Sequence, residues 1–239
     1  MTRCKPDFEA GIYEDLAWLG LDWEEPVRRQ SDHFDDYRAA LVRLEAMGVL
    51  YPCFCSRKDI AAAVSAPHGT PAAGSDGPPY PGTCRHLGED ILHERQARGD
   101  PFALRLDVAK AAALTGPLSF RDADRGTVEA RPELLGDVVL ARRDVPASYH
   151  LCVTLDDHAQ GVTLVTRGLD LFQATHIHRL IQGLLGLATP DYKHHLLLTN
   201  AAGERLSKRD GAVGIGTLRA QGRTSGEVRG LAGFPDAAP

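Results

Sequence analysis

The sequence is short of the residues that build covalent or membrane scaffolds. Five cysteines among 239 residues are too few to staple a chain of this length. Two of them, Cys53 and Cys55, stand one residue apart, a spacing that suits a metal ion better than a bridge, so the thiols are expected to be reduced. No run approaches the ~18 apolar residues of a membrane span, and Met1-Thr2-Arg3-Cys4-Lys5-Pro6-Asp7 lacks the apolar centre of a signal peptide, which makes the cytoplasm the expected compartment. Excess basic charge is missing too: 27 Lys and Arg against 32 Asp and Glu give a net charge of −5. That balance argues against indiscriminate coating of nucleic acid, while a local basic patch could still hold one structured RNA. What is present, 43% hydrophobic and 25% charged residues, excludes collagenous and disordered classes. The length is about one and a half times a ~150-residue domain and predicts one large domain, or one domain carrying an insertion.

Hydrophobic spacing predicts the elements. Phe8, Ile12, Leu16 and Leu19, followed by Gly20, predict a helix over 7–19; Tyr37, Leu41 and Leu44, stopped by Gly48, predict another over 35–47. From Tyr51 to Arg85 the composition shifts to Cys, Pro, Gly and Ser, and 65–79 has no periodicity, which predicts a loop. Strands are predicted over 102–106, 137–140, 149–155 and 161–166. A helix over 171–185, capped by Asp170 and ended by Gly186, then leads to the apolar strand Leu196–Leu198. Strand, helix, strand is a crossover unit and implies a parallel sheet. Its ligands would sit beyond the carboxyl ends of the strands, in the loops 156–158, 167–170 and 199–211. The Gly-, Ala- and Arg-rich stretch 211–239 reads as a peripheral tail, and no internal repeat is found.

Two constellations carry chemistry. Gly203-Glu-Arg-Leu-Ser-Lys-Arg-Asp-Gly211 places Ser207, Lys208 and Arg209 between glycines just after a crossover strand, where a phosphate site belongs; alone it reads equally as a solvated basic turn. Arg142, Arg143 and Arg205 extend it into a candidate RNA or phosphate face, although a charge run can equally be only solvated. The second constellation is Cys53-Phe-Cys55 with Tyr80-Pro-Gly-Thr-Cys84-Arg-His86, two ligand pairs that could clip a core-poor loop around tetrahedral zinc. On chemistry alone His86 suits the fourth position, since an imidazole binds zinc without deprotonation whereas a free phenol has a pKa near ~10. Merely buried thiols are the alternative. Cys4 and Cys152 have no such neighbours and read as ordinary.

Arg205-Leu-Ser-Lys-Arg209 resembles the KMSKS signature of class I aminoacyl-tRNA synthetases, with Arg205 and Arg209 where the signature name has Lys and Ser. Tyr149-His-Leu-Cys-Val-Thr-Leu-Asp-Asp157 and Gly161-Val-Thr-Leu-Val-Thr-Arg-Gly-Leu-Asp170 resemble the glutamate-pocket region of the glutamyl subgroup, except for Leu164 where that subgroup usually has His. The short stretch after Gly211 has no space for an anticodon-binding domain, and this form resembles the glutamyl-queuosine tRNA(Asp) synthetase family, which consists of the catalytic half only. The resemblance implies an α/β, Rossmann-like class I catalytic core, N-terminally truncated and interrupted by a zinc-clipped insertion. It divides the chain into 1–48, a helical remainder of the first half; 49–136, a zinc-bearing, RNA-facing insertion; 137–216, the second half with the glutamate pocket; and 217–239, a tail.

The resemblance further implies that Tyr149 and Arg167 contact L-glutamate, that Ser207 and catalytic Lys208 contact ATP with Mg²⁺, and that Cys53, Cys55, Tyr80 and Cys84 hold one structural Zn²⁺. The chemistry agrees with these roles: a guanidinium forks onto a carboxylate, a phenol adds a directional hydrogen bond, and an ammonium neutralises a triphosphate. Arg167 could instead pair with Asp170, and Tyr149 could simply pack into the core. Asp156 and Asp157 read as loop formers. The implied activity is ATP-dependent activation of glutamate and its transfer to queuosine in the anticodon of tRNA(Asp), by a monomer. The alternatives are the catalytic fragment of an ordinary glutamyl-tRNA synthetase and a non-catalytic zinc-bearing RNA-interaction remnant. Residues 1–20 resemble the family only from just beyond its first crossover, so its HIGH-bearing segment has no counterpart here. Thr175-His-Ile-His178 does not supply one: it falls inside a predicted helix, lacks the glycine that lets a nucleotide approach, and follows no strand. His176 and His178 therefore read as surface or core helix residues.

Overall fold

The computed structural model describes residues 5–64, 79–142, 146–199, 206 and 213–234. They fall into two compact units, one running from Arg29 to Leu196, the other made of the chain up to Arg28 and from Leu197 onward.

The larger unit holds two sheets. In the first, β1 (Leu50–Cys53) and β5 (Val139–Arg142) flank β2 (Ala103–Leu106), all antiparallel, with Leu50 opposite Leu106 and Cys53 opposite Ala103. In the second, the order is β4 (Gly126–Glu129), β3 (Ser119–Asp122), β7 (Asp191–His195), β6 (Leu164–Gly168). β3 and β4 form an antiparallel hairpin, whereas β7 runs parallel to both β3 and β6. The predicted crossover is present: β6 leads through α7 (Phe172–Leu185) into β7, and the register sets Arg167 opposite His194. Helix α7 is the centre of the unit. Ile177, Leu180 and Ile181 on α7 pack with Leu151 of α6 (Tyr149–Ala159), Tyr37 and Leu44 of α2 (Phe34–Ala46), Leu106 of β2 and Leu140 of β5. Gly186 ends α7 in the left-handed region (φ 66°, ψ 34°), which glycine adopts without steric cost.

Three predictions are corrected. The stretch 149–155 is the first part of α6 and not a strand. Its alternating Tyr149, Leu151, Val153 and Leu155 mimic period two, but Ser148 accepts the Leu151 N–H as an N-cap, and Leu151, Cys152 and Leu155 then share the inward face. Residues 156–158 consequently lie within the helix. Second, the last strand of the crossover is Asp191–His195, where Tyr192 and His194 are buried in alternation, while Leu196 is 80% exposed. Two polar residues in the core masked its period. Third, Asp170 does not cap α7; Leu171 occupies the N-cap without a side-chain bond, after a short 3₁₀ turn. Within the Cys-, Pro- and Gly-rich region, β1, α3 (Arg57–Val64) and an isolated bridge between Tyr80 and Gly136 give order to the ends, followed by α4 (Glu89–Ala97) and α5 (Val108–Thr115).

The smaller unit contains α1 (Pro6–Trp18), α8 (Ile215–Ala220) and α9 (Ser225–Leu231). Arg219 of α8 joins α1 through Glu14 at 2.5 Å and Asp15 at 3.1 Å, and Arg229 of α9 donates to the Leu19 carbonyl. The predicted apolar side chains Phe8 and Ile12 of α1 are exposed. Among the described residues no helix is long and apolar enough to cross a membrane.

A buried polar contact joins α2 to α6. The Tyr37 hydroxyl donates to Asp156 at 2.8 Å, and Gln30 Nε2 donates to the same carboxylate at 2.9 Å. Tyr37→Phe leaves this buried carboxylate short of a donor and is expected to cost about 1–3 kcal/mol, measured as a lower urea midpoint with an unchanged m-value.

Candidate substrate and metal sites

The carboxyl end of β6 presents Arg167 to the side chains of its neighbours. Parallel pairing brings His194 alongside, and the buried face of α7 adds Thr175 and His178, one turn apart. The guanidinium Nε donates to His194 Nε2 at 3.2 Å. Nη1 donates to the Tyr149 hydroxyl at 3.3 Å and to His178 Nδ1 at 3.1 Å, and Nη2 donates to Thr175 Oγ1. The guanidinium also lies 5.4 Å from the centroid of the Tyr192 ring. Among the described residues, all its hydrogen-bond partners are thus neutral acceptors. Tyr149, at the first turn of α6, is 45% exposed and opens this cluster to solvent.

Burial sets the protonation of the cluster. His178 is held well below the ordinary imidazole range, first by desolvation and then by the charge of Arg167. His194 is lowered by desolvation, against the pull of Asp122. Burial opposes ionisation of Asp122, but His194, the Asp124 N–H and Arg125 outweigh it and hold the carboxyl below its usual range. Burial raises Asp157, and the charge of Arg167 partly offsets that.

The second cluster lies between β1 and the Tyr80–Cys84 turn. The sulfurs of Cys53, Cys55 and Cys84 are all within 4.8 Å of one another, and among the described residues no histidine or carboxylate joins them. Cys55 Sγ is 3.5 Å from Cys84 Sγ and 3.5 Å from the Tyr80 hydroxyl, which accepts the Cys84 N–H at 2.8 Å. His86 is exposed. Burial, with the neighbouring Cys84 and Cys53, pushes the Cys55 thiol up to about 11. The Arg105 guanidinium stacks 3.9 Å from the Tyr80 ring centroid and donates to the Asp137 carbonyl. The Asp137 carboxylate accepts from Tyr51 at 2.5 Å, Arg85 Nε at 2.8 Å and the Val108 N–H at 3.1 Å. Three thiols and a hydroxyl converging on one point are a donor set that fits tetrahedral zinc.

The remaining sequence candidates are distributed unevenly. Ser207, Lys208 and Arg209, with Arg143 and Arg205, lie outside the described residues; Arg142 is exposed at the end of β5. Cys152 is buried on α6, its thiol pushed up to about 11 by burial, away from the other thiols. Asp156 is a buried helical residue and not a loop former. His176 and His178 are core residues, and His178 in addition touches Arg167. The residues missed in the sequence are Asp122, Thr175 and His194. Their signal was available only through the pairing of β7 with both β3 and β6 and the packing of α7 against them.

A parallel crossover with an arginine at its carboxyl end is consistent in place with a site for an anionic ligand. The family model for the catalytic domain of class I tRNA synthetases (E and Q) matches residues 1–228. A glutamyl-Q tRNA(Asp) synthetase from Rhodobacter capsulatus is 50% identical over 238 residues, covering 98% of this chain and 84% of that protein. Another of that name, from Nocardia farcinica, is 40% identical, covering 97% of this chain and 70% of its own. A crystal structure of a glutamate tRNA ligase from Elizabethkingia meningosepticum, in complex with its amino acid, shares the fold with a TM-score of 0.67 at 24% identity, covering 88% of this chain and 44% of that one. The chain belongs to the class I aminoacyl-tRNA synthetases, ligases by family, and within them to the glutamyl-Q tRNA(Asp) synthetase group.

The depressed imidazole of His178 gives a stability prediction with a definite sign. In the unfolded chain a histidine takes up its proton near ~6.5, while in the fold His178 resists protonation. Stability is therefore complete above about pH 6.5 and falls as the pH drops below it. The urea midpoint is expected to decrease from pH 7.5 to pH 5, and His178→Gln to flatten that slope.

Proposed function

We propose that this chain binds L-glutamate through Arg167 and Tyr149, activates it with ATP, and transfers it to queuosine in the anticodon of tRNA(Asp). The observation that carries the reading is the guanidinium of Arg167, placed at the carboxyl end of a parallel strand, with only neutral hydrogen-bond partners among the described residues. Its charge is left to be met by an anionic ligand, and a carboxylate matches its fork. The exposed Tyr149 hydroxyl adds a directional contact beside it. The relatives, glutamyl-Q tRNA(Asp) synthetases by name, favour glutamate as the amino acid and queuosine-bearing tRNA(Asp) as the acceptor.

In the proposed reaction a glutamate carboxylate oxygen attacks the α-phosphorus of ATP, and the bond to the β-phosphate oxygen breaks to release pyrophosphate. A hydroxyl of the queuosine cyclopentenediol then attacks the acyl carbon; AMP leaves and the hydroxyl proton is lost to solvent. Mg²⁺ accompanies ATP and neutralises triphosphate charge. Lys208, with Ser207 beside it, is assigned to the triphosphate by its place in Arg205-Leu-Ser-Lys-Arg209. Cys53, Cys55, Cys84 and Tyr80 are assigned to one structural zinc, which would cross-link β1 to the Tyr80–Cys84 turn.

Arg167→Ala is expected to weaken glutamate binding about 100-fold in calorimetry, on the scale of hydrogen bonds lost to a charged ligand; unchanged affinity would remove the arginine from the site. Lys208→Ala is expected to slow glutamate-dependent pyrophosphate exchange without changing the melting temperature. Acceptor assays divide the two enzyme readings: queuosine-bearing tRNA(Asp) should be acylated and tRNA(Glu) should not.

For the metal, elemental analysis of the purified chain should find one zinc per molecule. Cys84→Ser and Tyr80→Phe should lower that occupancy, whereas His86→Ala should leave it unchanged.

A further inference from the structure

We propose that Asp122 and His194 are positioning residues that fix the orientation of Arg167, by locking His194 in the tautomer that can accept from it. This deepens the reading of Arg167 as the glutamate-binding arginine and rests on it. Asp122 and His194 are fully buried side chains. Asp122 Oδ1 is committed: it accepts from the N–H of Asp124 at 3.1 Å, the N–H of Arg125 at 3.1 Å and Arg125 Nη1 at 3.3 Å. Oδ2 is left for His194 Nδ1, at 2.7 Å. An ionised carboxylate only accepts, so the imidazole proton must be on Nδ1.

The other nitrogen is then a bare lone pair, and two donors are aimed at it. Arg167 Nε–H lies 3.2 Å from His194 Nε2 and can only donate. Thr175 Oγ1 lies 3.2 Å from the same nitrogen, and because it accepts from Arg167 Nη2, its own proton is free to point at Nε2. In the opposite tautomer an N–H would face the Nε–H of Arg167, donor against donor, and the guanidinium would have to swing away. His178 supports the same orientation from another side by accepting from Nη1 with its Nδ1. A carboxylate in place of His194 could accept the same hydrogen bond, but it would neutralise the arginine and repel a second carboxylate. A neutral imidazole fixes the direction and leaves the charge for the ligand. The anionic end of the dyad is kept one ring away.

The test uses the full chain. Long-range ¹H–¹⁵N correlation at pH 7.5 should show His194 with its proton on Nδ1, the signal assigned by its loss in His194→Gln. In Asp122→Asn the two backbone N–H groups retain the amide oxygen, so the amide nitrogen faces His194 Nδ1 as a donor and the tautomer should invert. Glutamate affinity, read by calorimetry, should then fall about 10- to 100-fold with the far-UV spectrum unchanged. A proton on Nε2 in the unsubstituted protein would overturn the proposal, and needs no variant to fold. So would an inverted tautomer with unaltered glutamate affinity. Arg167→Ala separates the two levels: if it leaves glutamate binding intact, the reading of Arg167 itself fails. If it abolishes binding while the inverted Asp122→Asn protein binds normally, only the dyad's role fails.

Discussion

A guanidinium held in place without being neutralised is the constraint around which the larger unit is arranged. Four hydrogen bonds direct Arg167, and each ends on an imidazole or hydroxyl. Ion pairing would orient the side chain as well but would consume its charge, which the proposed glutamate carboxylate would otherwise meet. The acceptors come from three elements, β7, α6 and α7, so the core packing of α7 and the register of two parallel strands both serve one side chain. The cost is a set of buried imidazoles kept from protonating, which ties the stability of the fold to pH.

The sequence made the crossover legible because its helix has a strong 3.6-residue period and a glycine stop. Arg167, Tyr149 and the thiol group were legible through motif resemblance and ligand spacing. Their neighbours were not. His194 and Asp122 lie 72 residues apart and meet only because β3, β7 and β6 pair in parallel; local spacing contains no trace of such a meeting. The misassigned start of α6 has a different origin. An alternating apolar run satisfies both periods, and only the serine before it, acting as a cap, selects the helix. The strand β7 escaped notice because its inward side chains, Tyr192 and His194, are polar in composition and buried in fact.

The thiol cluster shows how a region with few apolar side chains can still be ordered at its ends. Tyr80 is engaged on several sides: its hydroxyl accepts the Cys84 amide, the same oxygen approaches Cys55, and its ring carries Arg105. Hence the phenol belongs to the local backbone geometry as well as lying beside the thiols, where it is the proposed fourth zinc ligand. His86, two residues past Cys84, is turned outward by that turn.

Asp137 gathers donors from Tyr51, Arg85 and Val108, sites on either side of the stretch that separates Cys55 from Tyr80. Residues on both flanks of that stretch are pinned to a common carboxylate. The separation between the two flanks is therefore set by one acidic side chain as well as by strand pairing.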